Sequence, residues 1–380
     1  MNKKEYFDKL AYELGNMDEA TRAEILGDFH EHFEIAEKSG KSEEEICRIL
    51  GDPREIAAEF TQDYVRSDDG AQQENTRGEI PQDCELTNRY NSSKVKGVTV
   101  ELKTSRIEIR GEEREDAALD LGSYKAHRMF DINLTQDGIL VIKEKFPASA
   151  DISLTLPQII KGLIKIESIS GDICLGELSC EGLKIKTASG NVEICASNIA
   201  AAFNVTTGSG DVITDACNSA QGFNVSTGSG AIEFNACNGK ISASTGSGEI
   251  IVEAHLNGTV IGCTGSGDIA ISTGTLNGDI NYSTGSGDIE ITCETFKGNI
   301  RMSSGSGDIN FETNEVGGDI HAKTSSGDIE LTLGGHNDIN FDIKAGRNSD
   351  VTNEFMPNNQ GSRYKVKLKT NSGDIEVLKK

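Results

Sequence analysis

Proline is scarce in this chain, at 5 of 380 residues, with none between Pro157 and Pro357. Scarcity of proline excludes a collagen-like triple helix, although glycine is frequent at 42 residues. Basic residues are in the minority, with 37 Lys+Arg against 61 Asp+Glu and a net charge of −24. That balance argues against a nucleic-acid partner, whose phosphates such a surface repels. No apolar run approaches the roughly 18 residues that a membrane span needs. The opening Met1-Asn2-Lys3-Lys4-Glu5 has no apolar stretch behind it, so no secretory signal is read and the cytoplasm is the expected location. The nine cysteines (Cys47, Cys84, Cys174, Cys180, Cys195, Cys217, Cys237, Cys263 and Cys293) include no CxxC and no zinc-type spacing with histidine. They are expected to be buried, reduced thiols.

What is present divides into two regions of different character. Residues 1–63 carry 8 Lys+Arg and 17 Asp+Glu, a net −9, with apolar residues at helical spacing. Tyr6, Phe7, Leu10 and Leu14 mark a first amphipathic helix, broken by Gly15-Asn16. A second helix is expected from near Asp18 towards Lys38, with Ile25, Phe29, Phe33 and Ala36 on its apolar face and Ser39-Gly40 as its stop. Ser42 and Glu45 form a capping box before Ile46, Ile49 and Leu50, and Gly51 suits the C′ position. Asp52-Pro53 reads as an N-cap with proline at N1, opening a last helix through Ile56, Ala57 and Phe60. Four helices in about 60 residues make a marginal core, which favours docking onto a partner. His30-Glu31-His32 does not make a metal motif. Two residues rotate a helix by about 200°, whereas the metalloprotease pattern needs histidines at i and i+4. An exposed polar face accounts for them.

This region resembles the HAAS domain, a bacterial helical signalling module associated with helix-turn-helix regulators. The resemblance rests on Lys4-Glu5-Tyr6-Phe7 with Leu10, on the stretch from Glu24 to Phe33, on Gly40 to Ile46, and on Leu50-Gly51-Asp52-Pro53-Arg54-Glu55-Ile56-Ala57. It implies a protein partner bound through residues 1–63. In that family the module usually precedes transmembrane helices, and no such span is read here.

Residues 64–93 are polar and aperiodic and read as a flexible linker. From Ile164 onward a small-Ser-Gly-acidic signal recurs, its final glycine at Gly171, Gly190, Gly210, Gly230, Gly248, Gly267, Gly287, Gly307 and Gly327, with a last copy at Gly373. The first nine are spaced by 19.5 residues on average. Apolar columns keep register with them: Ile269, Ile289, Ile309 and Ile329 two residues after the glycine, and Val260, Ile280, Ile300 and Ile320 seven before it. Period-two alternation of β-branched residues means strands. Two strands and two turns per repeat, in register, describe one coil of a parallel β-solenoid whose coils stack about 4.7–4.9 Å apart. Absence of proline through the ladder agrees. A β-propeller is the rival fold, but its blades need roughly 40 residues each. Residues 94–163 are expected to begin and cap the solenoid. One weak coil (Ile339, Phe341, Ile343) and a loop should precede a final edge strand protected by Lys379-Lys380. The Thr-Gly-Ser-Gly-Asp ladder resembles a bacterial adhesin-like repeat family of unknown function, named for its similarity to surface proteins. This resemblance covers roughly residues 95–380.

Asp268, Asp288, Asp308 and Asp328 belong to an acidic column after the marked glycine. Stacked carboxylates make them candidates for binding Ca2+. The alternative is a turn role in which each carboxylate accepts backbone N–H groups. A threonine column (Thr187 through Thr370) is read as hydroxyls bonded along the ladder. No nucleophile, acid–base pair or phosphate loop stands out, and no cofactor is implied. The expectation is a mainly β protein, a solenoid over 94–380 joined by a 64–93 linker to the helical module of 1–63. Its expected role is that of a non-enzymatic regulatory or interaction protein, with envelope-stress signalling the implied setting. An adhesin-like surface protein and a carbohydrate-active solenoid enzyme are the alternatives.

Overall fold

The computed structural model describes residues 1–15, 22, 26–27, 29–30, 33, 42–50, 52–54, 57, 87–91, 95–122, 129–254, 256–334, 338–355 and 362–380. The chain forms two compact units, Met1–Cys84 and Glu85–Lys380.

In the first unit, helix α1 (Lys3–Glu13) begins with a capping box: Asn2 accepts the Glu5 N–H at 2.9 Å, and Glu5 accepts the Asn2 N–H at 3.2 Å. Its inward residues Tyr6, Phe7, Leu10 and Leu14 are buried as the spacing predicts. Helix α2 (Glu43–Leu50) buries Ile46, Cys47 and Leu50, and the Lys3 N–H donates to Glu43 at 2.9 Å. Phe29 and Phe33 are helical and buried, Phe33 lying 5.8 Å from the Phe7 ring. Asp52 accepts the Arg54 N–H at 2.9 Å, as an N-cap before Pro53 should. Ile25, Ala36, Gly51, Ile56 and Phe60 lie outside the described residues, as does most of the expected second helix.

The second unit is a parallel β-solenoid whose coils contribute to two sheets of 16 strands each. In the first sheet Ile269, Ile289, Ile309, Ile329 and Ile375 pair directly, coil to coil. In the second, Val260, Ile280, Ile300, Ile320 and Val366 do the same. All ten side chains are buried, and burial of each such residue contributes about 1.5–3 kcal/mol against the ordering cost. A single coil has no second layer to bury this face, so stability comes from stacking.

The coil changes shape midway. Asn198–Ile199 pairs with Ser179–Cys180 in the second sheet, whereas Leu256–Asn257 pairs with Leu276–Asn277 in the first. Left-handed Ala196, Ala216 and Ala236 turn the earlier coils, while Gly258, Gly278 and Gly298, all at positive φ, turn the later ones. The change coincides with the two shortest intervals after the first, 18 residues from Gly230 to Gly248 and 19 from there to Gly267. Nearby, the inward column narrows to Ala243 and Gly262, and a Cβ at Gly262 would collide with the Tyr282 ring.

Both ends depart from the expected order. Thr87–Asn91, inside the segment read as linker, is a strand antiparallel to Asp116–Asp120, which in turn pairs antiparallel with Asp151–Pro157. Arg106–Glu112 sits between Asp151–Pro157 and Ile173–Gly176. At the other end, Ile375–Lys379 is not an edge strand. It lies between Ile329–Leu333 and Val351–Asn353. Tyr364–Lys369 is likewise inserted between Ile320–Lys323 and Ile339–Lys344. The expected loop after the weak coil therefore contains a strand, Val351–Asn353, and that coil is outermost in space although it precedes the inserted one in sequence.

Candidate functional site

In the regular coils the turn before the first-sheet strand carries the Thr-Gly-Ser-Gly-Asp signal or a close variant, and its polar atoms join neighbouring coils. Thr324 Oγ1 accepts the Gly327 N–H at 3.2 Å and donates to the Gly307 carbonyl at 3.0 Å. Thr227, Thr245, Thr264, Thr284, Ser304 and Thr370 make the same two bonds. The hydroxyls thus bond to backbone in two coils rather than to one another. Glycine is needed here for close approach: a Cβ on Gly307 would collide with the carbonyl of Gly287.

The candidate acids stand in one column, as read from the sequence. The Oδ1 of Asp268 accepts the Asp288 N–H at 2.8 Å, Asp288 accepts from Asp308 at 2.7 Å, and Asp308 from Asp328 at 2.8 Å. Asp328 accepts from Asp374 and Asp374 from Asp350, so the column follows spatial rather than sequence order. Asn191 does the same for Asp211 at 2.9 Å, so the bond does not require charge. Among the described residues no group of three or more His, Cys, Asp or Glu is placed to hold a metal ion.

A second polar cluster escaped the sequence reading. Glu144, 1% exposed, accepts N–H groups of Lys103, Thr104, Ser105 and Ala148 and the hydroxyls of Thr104 and Ser105. It replaces in the end coil the glycine contacts used elsewhere, joining the 103–105 turn to the 144–148 turn. Burial holds the Lys103 ammonium below the usual lysine range, and its Nζ donates to the Lys145 carbonyl.

The eight described cysteines are free, and Cys47, Cys180, Cys217, Cys237 and Cys293 are buried as expected. Burial pushes the thiols of Cys180 and Cys217 up to about 12 and that of Cys237 up to about 11. Cys174 and Cys195 are half-buried and Cys263 is exposed, because their positions face outward. His30 stacks on Phe7 with ring centroids 3.8 Å apart; His32 and His255 lie outside the described residues.

Outward side chains separate by sign. The first two outward positions on first-sheet strands include Glu193, Glu233, Glu253, Glu290, Glu312 and Glu330, with no cation from Glu193 to Thr332. The equivalent second-sheet positions from Asn204 to Ser303 are uncharged except Arg301. Basic residues gather at the ends of that sheet. A groove of about 590 Å³ crosses five successive coils, lined by Ile159, Cys180, Asn198, Ile199, Asn218 and Asn238 among others. Ile159 is 70% exposed at its mouth, and Asn218 Nδ2 donates to Asn198 Oδ1 at 3.0 Å. Its charged lining residues are Lys161 and Glu181.

A family model described as Toastrack DUF4097 matches residues 83–293 and 263–378. The chain belongs to the Toastrack DUF4097 family. A HAAS model matches residues 5–59 of this toastrack protein, the segment singled out for its helical motifs. A solved structure of a candidate cell adhesion protein from Clostridium sporogenes ATCC 15579 is similar at 10% identity, with a TM-score of 0.17 over 77% of this chain and 98% of its own. Among curated proteins there is no match. No helix among the described residues is long and apolar enough to cross a membrane. The HAAS and toastrack domains together fit a non-enzymatic protein of regulatory type.

Proposed function

We propose that the toastrack protein acts in bacterial regulation, in an envelope-stress setting, by binding a protein partner through its helical HAAS unit. The β-solenoid serves as scaffold or recognition rod. The observation that carries this reading is the HAAS match over residues 5–59, which precedes the toastrack match in the sequence. Tyr12 supports it. It is 82% exposed on α1, away from the buried Tyr6, Phe7 and Leu10. Solvent-facing aromatics of this kind are typical binding anchors.

A photo-crosslinking residue at position 12 of the full chain, expressed in the native host, tests the reading. A discrete adduct with one protein is expected, absent when the crosslinker sits at Lys240 on the solenoid and reduced when Leu10→Asp disrupts the helical core. Identical adduct patterns at positions 12 and 240, or none at 12, would refute partner binding through this helix.

A further inference from the structure

Cations are stacked directly opposite one another at the C-terminal end of the second sheet. Pairing places Arg301 beside His321 and His321 beside Lys367, and places Lys323 beside Lys369 and Lys369 beside Lys344. Neighbouring strands lie about 4.7–4.9 Å apart, and like charges directly opposite are destabilising. Along the middle of this sheet the same rows hold neutral residues, Asn204, Asn224, Ser242 and Asn281, and at its other end Lys184 faces a Lys165 that is itself paired with Glu167 at 3.0 Å, and Lys143 is paired with Glu101 at 2.9 Å. Asp342 stands opposite Lys367 on its other side and is reached by Lys344 at 4.0 Å, but Arg301, Lys323, Lys365, Lys367 and Lys369 have no ion pair within 4.0 Å among the described residues. In a chain of net −24, such a concentration of unpaired positive charge calls for a ligand.

The cations surround a cleft of about 270 Å³ lined by Asn299, Arg301, Asp319, His321, Lys365 and Lys367. Asp319 is partly committed, its Oδ1 accepting the Lys365 N–H at 2.9 Å. Three cations and one carboxylate leave the cleft a net +2 with His321 neutral. A phosphate monoester carries about −1.5 to −2 at neutral pH and offers oxygens for an Arg fork and Lys donors. A single carboxylate would match half of that charge. We propose that this cleft binds a phosphoryl group, free or lipid-borne, independently of the helical unit. Its separation from the acidic first sheet leaves that anion a face where it is not repelled.

His321 reports on occupancy. Burial, followed by Lys367, Arg301 and Lys323, holds its imidazole below the ordinary histidine range. A bound dianion reverses the charge contribution. In the full chain, the His321 ring resonances are assigned by His321→Gln and titrated with pH, in inorganic pyrophosphate and in chloride of equal ionic strength. The expected result is a His321 pKa higher by at least about half a unit in pyrophosphate, with the effect lost in R301Q/K367Q and kept in K184Q/K186Q. Vesicles of phosphatidylglycerol and of phosphatidylcholine distinguish the source. Co-sedimentation with the former only, lost in R301Q/K367Q, assigns a lipid-borne group. Equal shifts in pyrophosphate and chloride without vesicle binding would overturn the site, as would vesicle binding unchanged in R301Q/K367Q.

Discussion

Thr324→Val is the sharpest test of how the turns hold the solenoid together. The substitution keeps the branched shape and removes one oxygen at a site that is 0% exposed. That oxygen accepts from Gly327 and donates to Gly307, both buried glycines of neighbouring coils. Each backbone group left unpaired costs about 1–3 kcal/mol. The extra apolar methyl returns part of this, so a net loss of about 2–4 kcal/mol is expected. Thr324→Ser retains the oxygen and should lose under about 1.5 kcal/mol, reflecting one methyl group. Urea unfolding of the full chain measures the difference, with circular dichroism near 218 nm (roughly the β-sheet minimum) and hydrogen exchange at Gly327 as separate probes, since repeat arrays need not unfold in one step. If Thr324→Val were as stable as wild type, or Thr324→Ser were equally damaging, packing rather than the two hydrogen bonds would be the cause.

Glu144→Gln should destabilise the N-terminal end of the solenoid by about 2–3 kcal/mol, because charge-assisted bonds to several N–H groups are weakened at once; hydrogen exchange at Thr104 and Ser105 would rise first. Asp308→Asn should hold stability within about 0.5 kcal/mol, as Asn191 does the same work, whereas Asp308→Ala should cost about 1 kcal/mol; a melting temperature raised by added Ca2+ and abolished in Asp308→Asn would show instead that the column binds cations. Brief iodoacetamide treatment of the native protein should label Cys263 and spare Cys180, Cys217 and Cys237, as read by peptide mass spectrometry. His321 binds its proton more weakly when folded than when unfolded, so its contribution to stability is full above the ordinary pKa of about 6.5 and is lost as pH falls through that value. His321→Gln should flatten this part of the stability curve, the cause being burial of the ring first and then the nearby Lys367, Arg301 and Lys323.

The solenoid's interior was legible because inward positions repeat identically in every coil. Ile289 and Ile309 hold equivalent places, and stacking makes their alignment in sequence an alignment in space. The Asp column followed for the same reason. Insertion of Tyr364–Lys379 was not legible, since a periodic sequence fixes which residues stack but not the order of coils. One signal was available: Thr370 and Gly373 preserve the turn motif that residues 338–353 lack, and the coil with the intact motif packs on Gly327. Glu144 was hidden because its partners, Lys103 to Ser105, are 39–41 residues away and belong to no repeat. The charged faces were concealed by a net charge summed over both sheets. Reading Arg301, His321 and Lys367 as one row requires knowing that Val366, not Ile339, follows Ile320.

A stack closed by its outermost coil would peel from that end like pages from a pad. Here the segment nearest the C-terminus is wedged beneath the page that precedes it, gripped in both sheets by strands on either side. Tension applied at Lys379 therefore loads the two pairings of Ile375–Lys379 together, before those of Tyr364–Lys369. During synthesis, residues 338–355 emerge before the strands they must cover, so the slot beside Ile329–Leu333 stays open until Tyr364–Lys379 arrives.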